Sequence, residues 1–261
     1  MNNSPILNFK FHDKPSLFQP ENLLREARRQ KEITESVIPE ICILDPDGDI
    51  EEYVISKLNA VLNKAWACYH TRLFEFDYNG QKVGIIGRAV GASFAVLLAE
   101  QLFASGCKLL LSMTSSGQLV QPMEPPYFIL IEKSVRDEGT SYHYLAPSQF
   151  SFLNTDLKEK LNNALNDPAI KIFTGATWTT DAPYRETAES INHYKSIGIH
   201  AVEMEASALY AFAQVRNKNV ICFAHVTNQM ASVEGDFEKG EHNGSKDALQ
   251  VLFTTIDTFS I

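Results

Sequence analysis

The chain of 261 residues is 44% apolar and 21% charged, enough for one substantial core and too apolar for bulk disorder. Its 23 basic and 32 acidic side chains leave a net charge of −9 with no dense Lys/Arg block, which argues against a general nucleic-acid or anionic-membrane surface and makes a small molecule the expected partner. No apolar run approaches the ~20 residues of a membrane span, the first residues lack a secretory pattern, and Cys42, Cys68, Cys107 and Cys222 form no C-x-x-C pair, so the expectation is a cytoplasmic protein with buried thiols.

Taken in chain order, Pro20–Lys31 (PENLLREARRQK) predicts an amphipathic surface helix within an N-terminal helical extension, residues 1–38. Residues 39–261 read as one domain. There, β-type runs at Ile41–Leu44, Val83–Ile86, Leu109–Met113, Tyr127–Lys133, Ile170–Thr174 and Val220–Val226 alternate with helical patterns, the mark of an α/β sheet between helices. Ser93–Ala104 (SFAVLLAEQLFA) is apolar almost all round and predicts a buried helix closed near Gly106; Val202–Val215 reads the same way. Loops after strands carry the chemistry of such sheets, which singles out Asp45–Asp49, Gly87–Ser93, Thr114–Gly117, Thr177–Arg185 and Thr227–Met230.

The most informative stretch is AVEMEASALY, Ala201–Tyr210, where Glu203 and Glu205 stand at the start of an otherwise apolar helix. A lone E-x-E is most simply a pair of solvated first-turn charges favoured by the helix dipole. Here a methionine separates the acids and the helix is too apolar for the surface. A carboxylate held at a core edge needs donors, and a sugar diol supplies two.

The string VEMEASALYAFA resembles the nucleoside phosphorylase superfamily, and three more segments fit that family in the same order, nearest to its uridine phosphorylase branch. Gly106–Leu119 (GCKLLLSMTSSGQL) is similar to its strand and phosphate turn, Arg136–Pro147 (RDEGTSYHYLAP) to its loop ending in His-aromatic-Ala-Pro, and Thr174–Thr187 (TGATWTTDAPYRET) to the strand and loop beside the base. The similarity runs from about Pro39 to the end of the chain. It implies a single-domain three-layer α/β/α fold with a mixed, partly barrel-like sheet, cleavage of the N-glycosidic bond of a nucleoside, a homodimer or hexamer, and no metal or redox cofactor.

On that mapping Glu205 holds the ribose hydroxyls, Met204 packs under the sugar and Glu203 shapes the same pocket. Bond cleavage builds oxocarbenium character on the sugar, and a fixed anion stabilises charge that develops only then. Asp181, Tyr184 and Arg185 match the base-side loop, while Trp178 offers either a stacking face for the base or a buried ring at the strand end. Pro183 stands where the family has an aromatic residue, and the uracil-reading Gln and Arg pair is missing, so uridine specificity is not carried over. Asn228 occupies the position of an Asp that protonates the base in purine-specific members. An amide donates a hydrogen bond but is no general acid, which favours a pyrimidine or a leaving group assisted without full proton transfer.

The chain departs from the family at the phosphate. Leu44-Asp45-Pro46-Asp47-Gly48 replaces a Gly-Asp-Pro-Asp-Arg loop, and Ser112 stands where a second arginine should precede Met113-Thr114-Ser115-Ser116-Gly117. With both arginines gone, Asp45, Asp47 and Asp49 set up to three negative charges beside the acceptor, and even one like-charge pair at ~4 Å costs about 1 kcal/mol in water and several times more in a cleft. The candidate replacement cations are Arg88, which joins Ser112, Thr114 and Ser115 on the expected acceptor side, and His70 or Arg72, from a region that in relatives reaches a neighbouring subunit. His12 is the N-terminal candidate for a residue lent to a partner. In the hydrolytic branch, which cleaves methylthioadenosine-like nucleosides with water, the first loop resembles this one in carrying an acid. Asp45 and Asp47 could then orient or deprotonate water; alternatively the segment is only a tight turn whose carboxylates bond their own backbone. Two functions stand: a nucleoside-cleaving enzyme with phosphate or water as acceptor, water being at least as well supported, or a nucleoside- or nucleotide-binding protein that lost catalysis with its arginines.

Overall fold

A computed structural model describes residues 4–34, 37–165, 170–230 and 234–259; of the 1–38 extension, residues 1–3 and 35–36 lie outside the described residues, as do 166–169, 231–233 and 260–261 of the domain. In chain order the elements are α1 (Pro20–Lys31), β1 (Ile41–Asp45), α2 (Asp49–Lys57), β2 (Val61–Leu62), β3 (Phe74–Tyr78), β4 (Gln81–Gly87), α3 (Ala92–Ala104), β5 (Leu109–Gln118), β6 (Tyr127–Asp137), β7 (Phe150–Phe152), α4 (Thr155–Ala164), β8 (Ile172–Thr180), α5 (Ala188–Ser196), β9 (Ala201–Glu203), α6 (Ala206–Arg216), β10 (Asn219–Asn228) and α7 (Ser245–Thr258). Helix α1 starts on Pro20, whose fixed φ suits a first turn, and buries Leu24 and Ala27 in a small cluster with Ala67.

The strands form one mixed sheet in the order β10-β6-β8-β9-β5-β1-β4-β3-β2, and a further β10–β5 pairing closes the first five into a ring. The sheet is thus part barrel and part open wing. All five residues of β1 are buried, as expected for a parallel strand covered on both faces. Helix α3 packs on α1 and α6, and α7 packs on α2 and α4, giving the helical layers around the sheet. All four cysteines are buried and free.

Several sequence expectations change. Thr114–Gly117, expected as a loop after its strand, continues β5, because β10 pairs with it in parallel register from Leu109 to Gly117; Thr177–Thr180 and Thr227–Asn228, also expected in loops, likewise continue β8 and β10, as tertiary pairing overrides weak local propensity. The helix expected over Val202–Val215 begins only at Ala206. Its first residues form β9, where Val202 pairs with Gly117 on one side and Trp178 on the other. Glu203 is therefore a strand residue, and Glu205 is the N-cap.

Where β6 leaves β10 to run on along β8, the ladder would be left open. The buried Tyr210 fills the gap: its hydroxyl donates to the Ile131 carbonyl at 2.5 Å and accepts from the Cys222 N–H at 3.1 Å. Tyr210→Phe leaves both backbone groups unsatisfied. It should cost about 1–3 kcal/mol in denaturant unfolding; a loss below about 0.5 kcal/mol would show that the hydroxyl is not needed there.

Candidate active site

Strand β5 keeps β10 on one edge, but on the other it passes from β1, paired as far as Ser112, to β9, paired from Gly117. Residues 113–116 face no strand on that edge. Strand divergence of this kind opens a crevice at which sheet proteins bind ligands. Into it projects Glu205: its Oε1 accepts from the Gly91 N–H at 2.7 Å, and its Oε2 from the Thr114 hydroxyl at 2.5 Å and the Met204 N–H at 3.3 Å. Burial, and next the charge of Glu203, push its carboxyl up to about 7.

Glu203 is sealed as well but differently served. Its Oε1 accepts from the hydroxyls of Ser134, Thr177 and Thr179, and its Oε2 from the N–H groups of Glu205 and Ala206, both at 2.7 Å. The first turn of α6 is thereby capped by a carboxylate from the preceding strand. Burial raises the Glu203 carboxyl, against donors that all favour the anion. Glu203 accepts from five donors and Glu205 from three, so of the two the anion is better served at Glu203.

The acid loop lies next to this pair. The β4–α3 loop ties them together, since the Arg88 N–H donates to the Asp45 carbonyl at 2.8 Å and the Gly91 N–H to Glu205. Asp45 is buried, accepts the Glu51 N–H at 2.9 Å, and is raised by that burial to about 7. Asp47 and Asp49 are bridged by Lys239, each at 2.6 Å, and Asn243 donates to Asp49 at 3.1 Å. Asp45, Asp47, Asp49, Ser115, His225 and Asn243 line a cavity of about 20 Å³. His225 stacks on Phe128 with ring centroids 4.6 Å apart, burial lowers it to about 4, and its Nε2 has no partner among the described residues. The turn over it needs glycine: Gly244 has φ +74, and a Cβ there would lie 2.2 Å from His225 Cε1.

The other expected residues are held differently. The Arg88 side chain pairs with Glu51 and Glu52 on α2, and Ser112 is buried in the sheet between β1 and β10. Asn228 Oδ1 accepts from the Met230 N–H at 2.9 Å, and its amide donates to Thr227 at 3.2 Å. Asp181 accepts from the Gly139 N–H at 2.8 Å, while Tyr184 and Arg185 are exposed on a short turn after β8. Trp178 is packed with Leu119, Val135 and Val202, its indole N–H donating to Asp137 at 2.9 Å and its ring 4.3 Å from that of Tyr194. His12 bonds the Tyr142 carbonyl at 3.0 Å of its own chain. Sequence reasoning missed Lys239, His225, Asn243 and the donors to Glu203. The alternation of Thr177 and Thr179 was a usable signal for the last; Lys239, 190 residues from Asp49, had none.

The model of the Phosphorylase superfamily matches residues 41–257. The chain is 25% identical over 174 residues to a guanosine phosphorylase of Halorubrum lacusprofundi, covering 67% of this chain and 69% of that protein. It is 26% identical over 165 residues to a DeoD-type purine nucleoside phosphorylase of Bacillus cytotoxicus, covering 62% and 69%. In fold it is similar to a uridine phosphorylase structure from Vibrio fischeri ES114 with a TM-score of 0.72 at 20% identity, over 86% of this chain and 92% of that one. A purine nucleoside phosphorylase from Toxoplasma gondii in complex with immucillin-H gives 0.71 at 18%, over 84% and 90%.

Because Glu205 is raised to about 7 in the folded protein, its neutral form stabilises the fold below the unfolded pKa, and that contribution is lost as the pH rises through about 7. Glu205→Gln, which never ionises, should therefore gain on the wild type between pH 5 and 8, by about 3–6 °C in Tm. A difference in Tm that does not change with pH would contradict a buried, proton-sharing Glu205.

Proposed function

We propose that this chain, which belongs to the Phosphorylase superfamily, cleaves the N-glycosidic bond of a nucleoside with water as the acceptor. The observation that carries the choice of water is at the acid loop: its nearby cation, Lys239, is held by Asp47 and Asp49 at 2.6 Å each, and the cavity beside them is about 20 Å³. That volume suits a single water molecule. A phosphate dianion is larger and would meet three carboxyl groups. The similarity to a guanosine phosphorylase, a purine nucleoside phosphorylase and a uridine phosphorylase supports a nucleoside as the substrate class.

In this reading the ribose hydroxyls take the place of present donors at Glu205, and Met204 packs beneath the sugar. As the C1′–N bond breaks, its electron pair leaves with the base, and the Glu203–Glu205 pair opposes the positive charge that grows on the sugar. Asn228 donates to the departing base without giving up a proton, with Asp181, Tyr184 and Arg185 on the base side. Water attacks C1′ and transfers a proton to Asp45, whose affinity near pH 7 suits a general base. Thr114, bonded to Glu205, and Ser115, in the wall of the small cavity, stand between the sugar and acceptor sides, and Asp47 holds Lys239 in place. The departed base takes up a proton from solvent and Asp45 returns its proton to solvent, so the products are free base and free sugar. Residues 39–261 form the catalytic domain and 1–38 an extension to it, in a cytoplasmic homodimer or hexamer.

A nucleoside panel assayed with and without phosphate should release base at the same rate in both. Base release that requires phosphate and yields ribose 1-phosphate would reject water as the acceptor, and thermal stabilisation by nucleosides without base release would make the protein a binder. Glu205→Ala should lower kcat/KM by about 100-fold or more, the scale of a lost transition-state contact. The wild-type rate should fall below about pH 7 as Asp45 and Glu205 take up protons, and Asp45→Asn should lower kcat by at least about tenfold; full activity in either variant rejects its assigned role.

A further inference from the structure

A second, larger cavity lies outside the acceptor side and is basic. It has a volume of about 630 Å³ and runs between the N-terminal segment, α3 and the loop after β6, with Lys10, His12, Lys14, Ser93, Thr140 and His143 in its wall. Its size is that of a small-molecule site. Lys10 Nζ lies 3.2 Å from His143 Nδ1, and no carboxylate is within ion-pair distance of it among the described residues. Lys14 has only the exposed Asp13, at 3.1 Å, and such a surface pair neutralises little. The one acid in the wall, Glu100, is engaged by Arg216 at 3.0 Å. In a chain of net charge −9, this is a site for an anion.

Two residues of the cavity wall are close neighbours in sequence of residues bonded to Glu205 and Asp181. Ser93 follows two residues after Gly91, whose N–H is bonded to Glu205, and Thr140 follows Gly139, whose N–H is bonded to Asp181 on the base side. An anionic group there would hang from a sugar held at Glu205. We propose that the cavity receives the 5′-phosphate of a nucleoside 5′-monophosphate, so that the substrate is a nucleotide rather than a free nucleoside. Lys10 and Lys14 supply the charge, and the hydroxyls of Ser93 and Thr140 in its wall are further donors. The proposal rests on Glu205 as the sugar-binding residue.

Calorimetric titration of the full chain with uridine, guanosine and their 5′-monophosphates tests it. At least one monophosphate should bind tenfold or more tightly than its nucleoside, and in K10A/K14A that ratio should fall to near one; K57A/K82A, which removes two exposed lysines elsewhere, should leave it unchanged. Equal affinity for nucleoside and monophosphate, no binding of any monophosphate, or a ratio that survives in K10A/K14A overturns the proposal. E205A separates the two claims: it should weaken nucleoside and monophosphate alike, and if it leaves both unchanged the sugar-pocket reading fails whatever the lysines do.

Discussion

Two carboxyl groups two residues apart, both sealed from water, are the constraint around which the site is organised. An uncompensated buried carboxylate costs several kcal/mol, so its donors must be in place before it can be there at all. Glu203 draws hydroxyls from β6 and β8 and two N–H groups from the start of α6. Those donors converge only because β8 runs parallel to both β6 and β9, with Thr179 opposite Glu203. The closed part of the sheet is thus a device for holding an anion, and Glu205, left with fewer donors beside that anion, becomes the member that exchanges a proton.

The acid loop solves the same electrostatic problem in another way. Asp45 is buried and rises in proton affinity, whereas Asp47 and Asp49 hold an ammonium group between them. That ion pair crosses from the first loop to the segment before α7, where His242, Asn243 and Gly244 all have positive φ. Such backbone is unfavourable for non-glycine residues by roughly 1–2 kcal/mol each, so the turn persists because its contacts hold it. The consequence is a small space facing acids, with its neighbouring cation already engaged.

Much of this was legible in the sequence. The apolar run of α3, the Pro20 start of α1 and the apolar stretch Ile41–Leu44 of β1 each obey local rules, and the acids Asp45, Asp47 and Asp49 of the first loop could be read directly. What escaped was whatever depends on pairing across the chain. Thr114–Gly117 has turn composition yet is strand because β10 lies alongside it. Val202 and Glu203 lie in a helical pattern yet are strand, Val202 pairing with Gly117 and Trp178 and Glu203 with Thr179. Lys239 is an unremarkable lysine in sequence, and only folding carries it to the acids.

The central claim, that the acid loop directs water to C1′, is tested most directly by cleaving the preferred nucleoside or nucleotide in ¹⁸O-labelled water with phosphate present at millimolar concentration. The account predicts one ¹⁸O at C1 of the released sugar within the first turnovers and no sugar 1-phosphate. Unlabelled sugar 1-phosphate as the first product would contradict it.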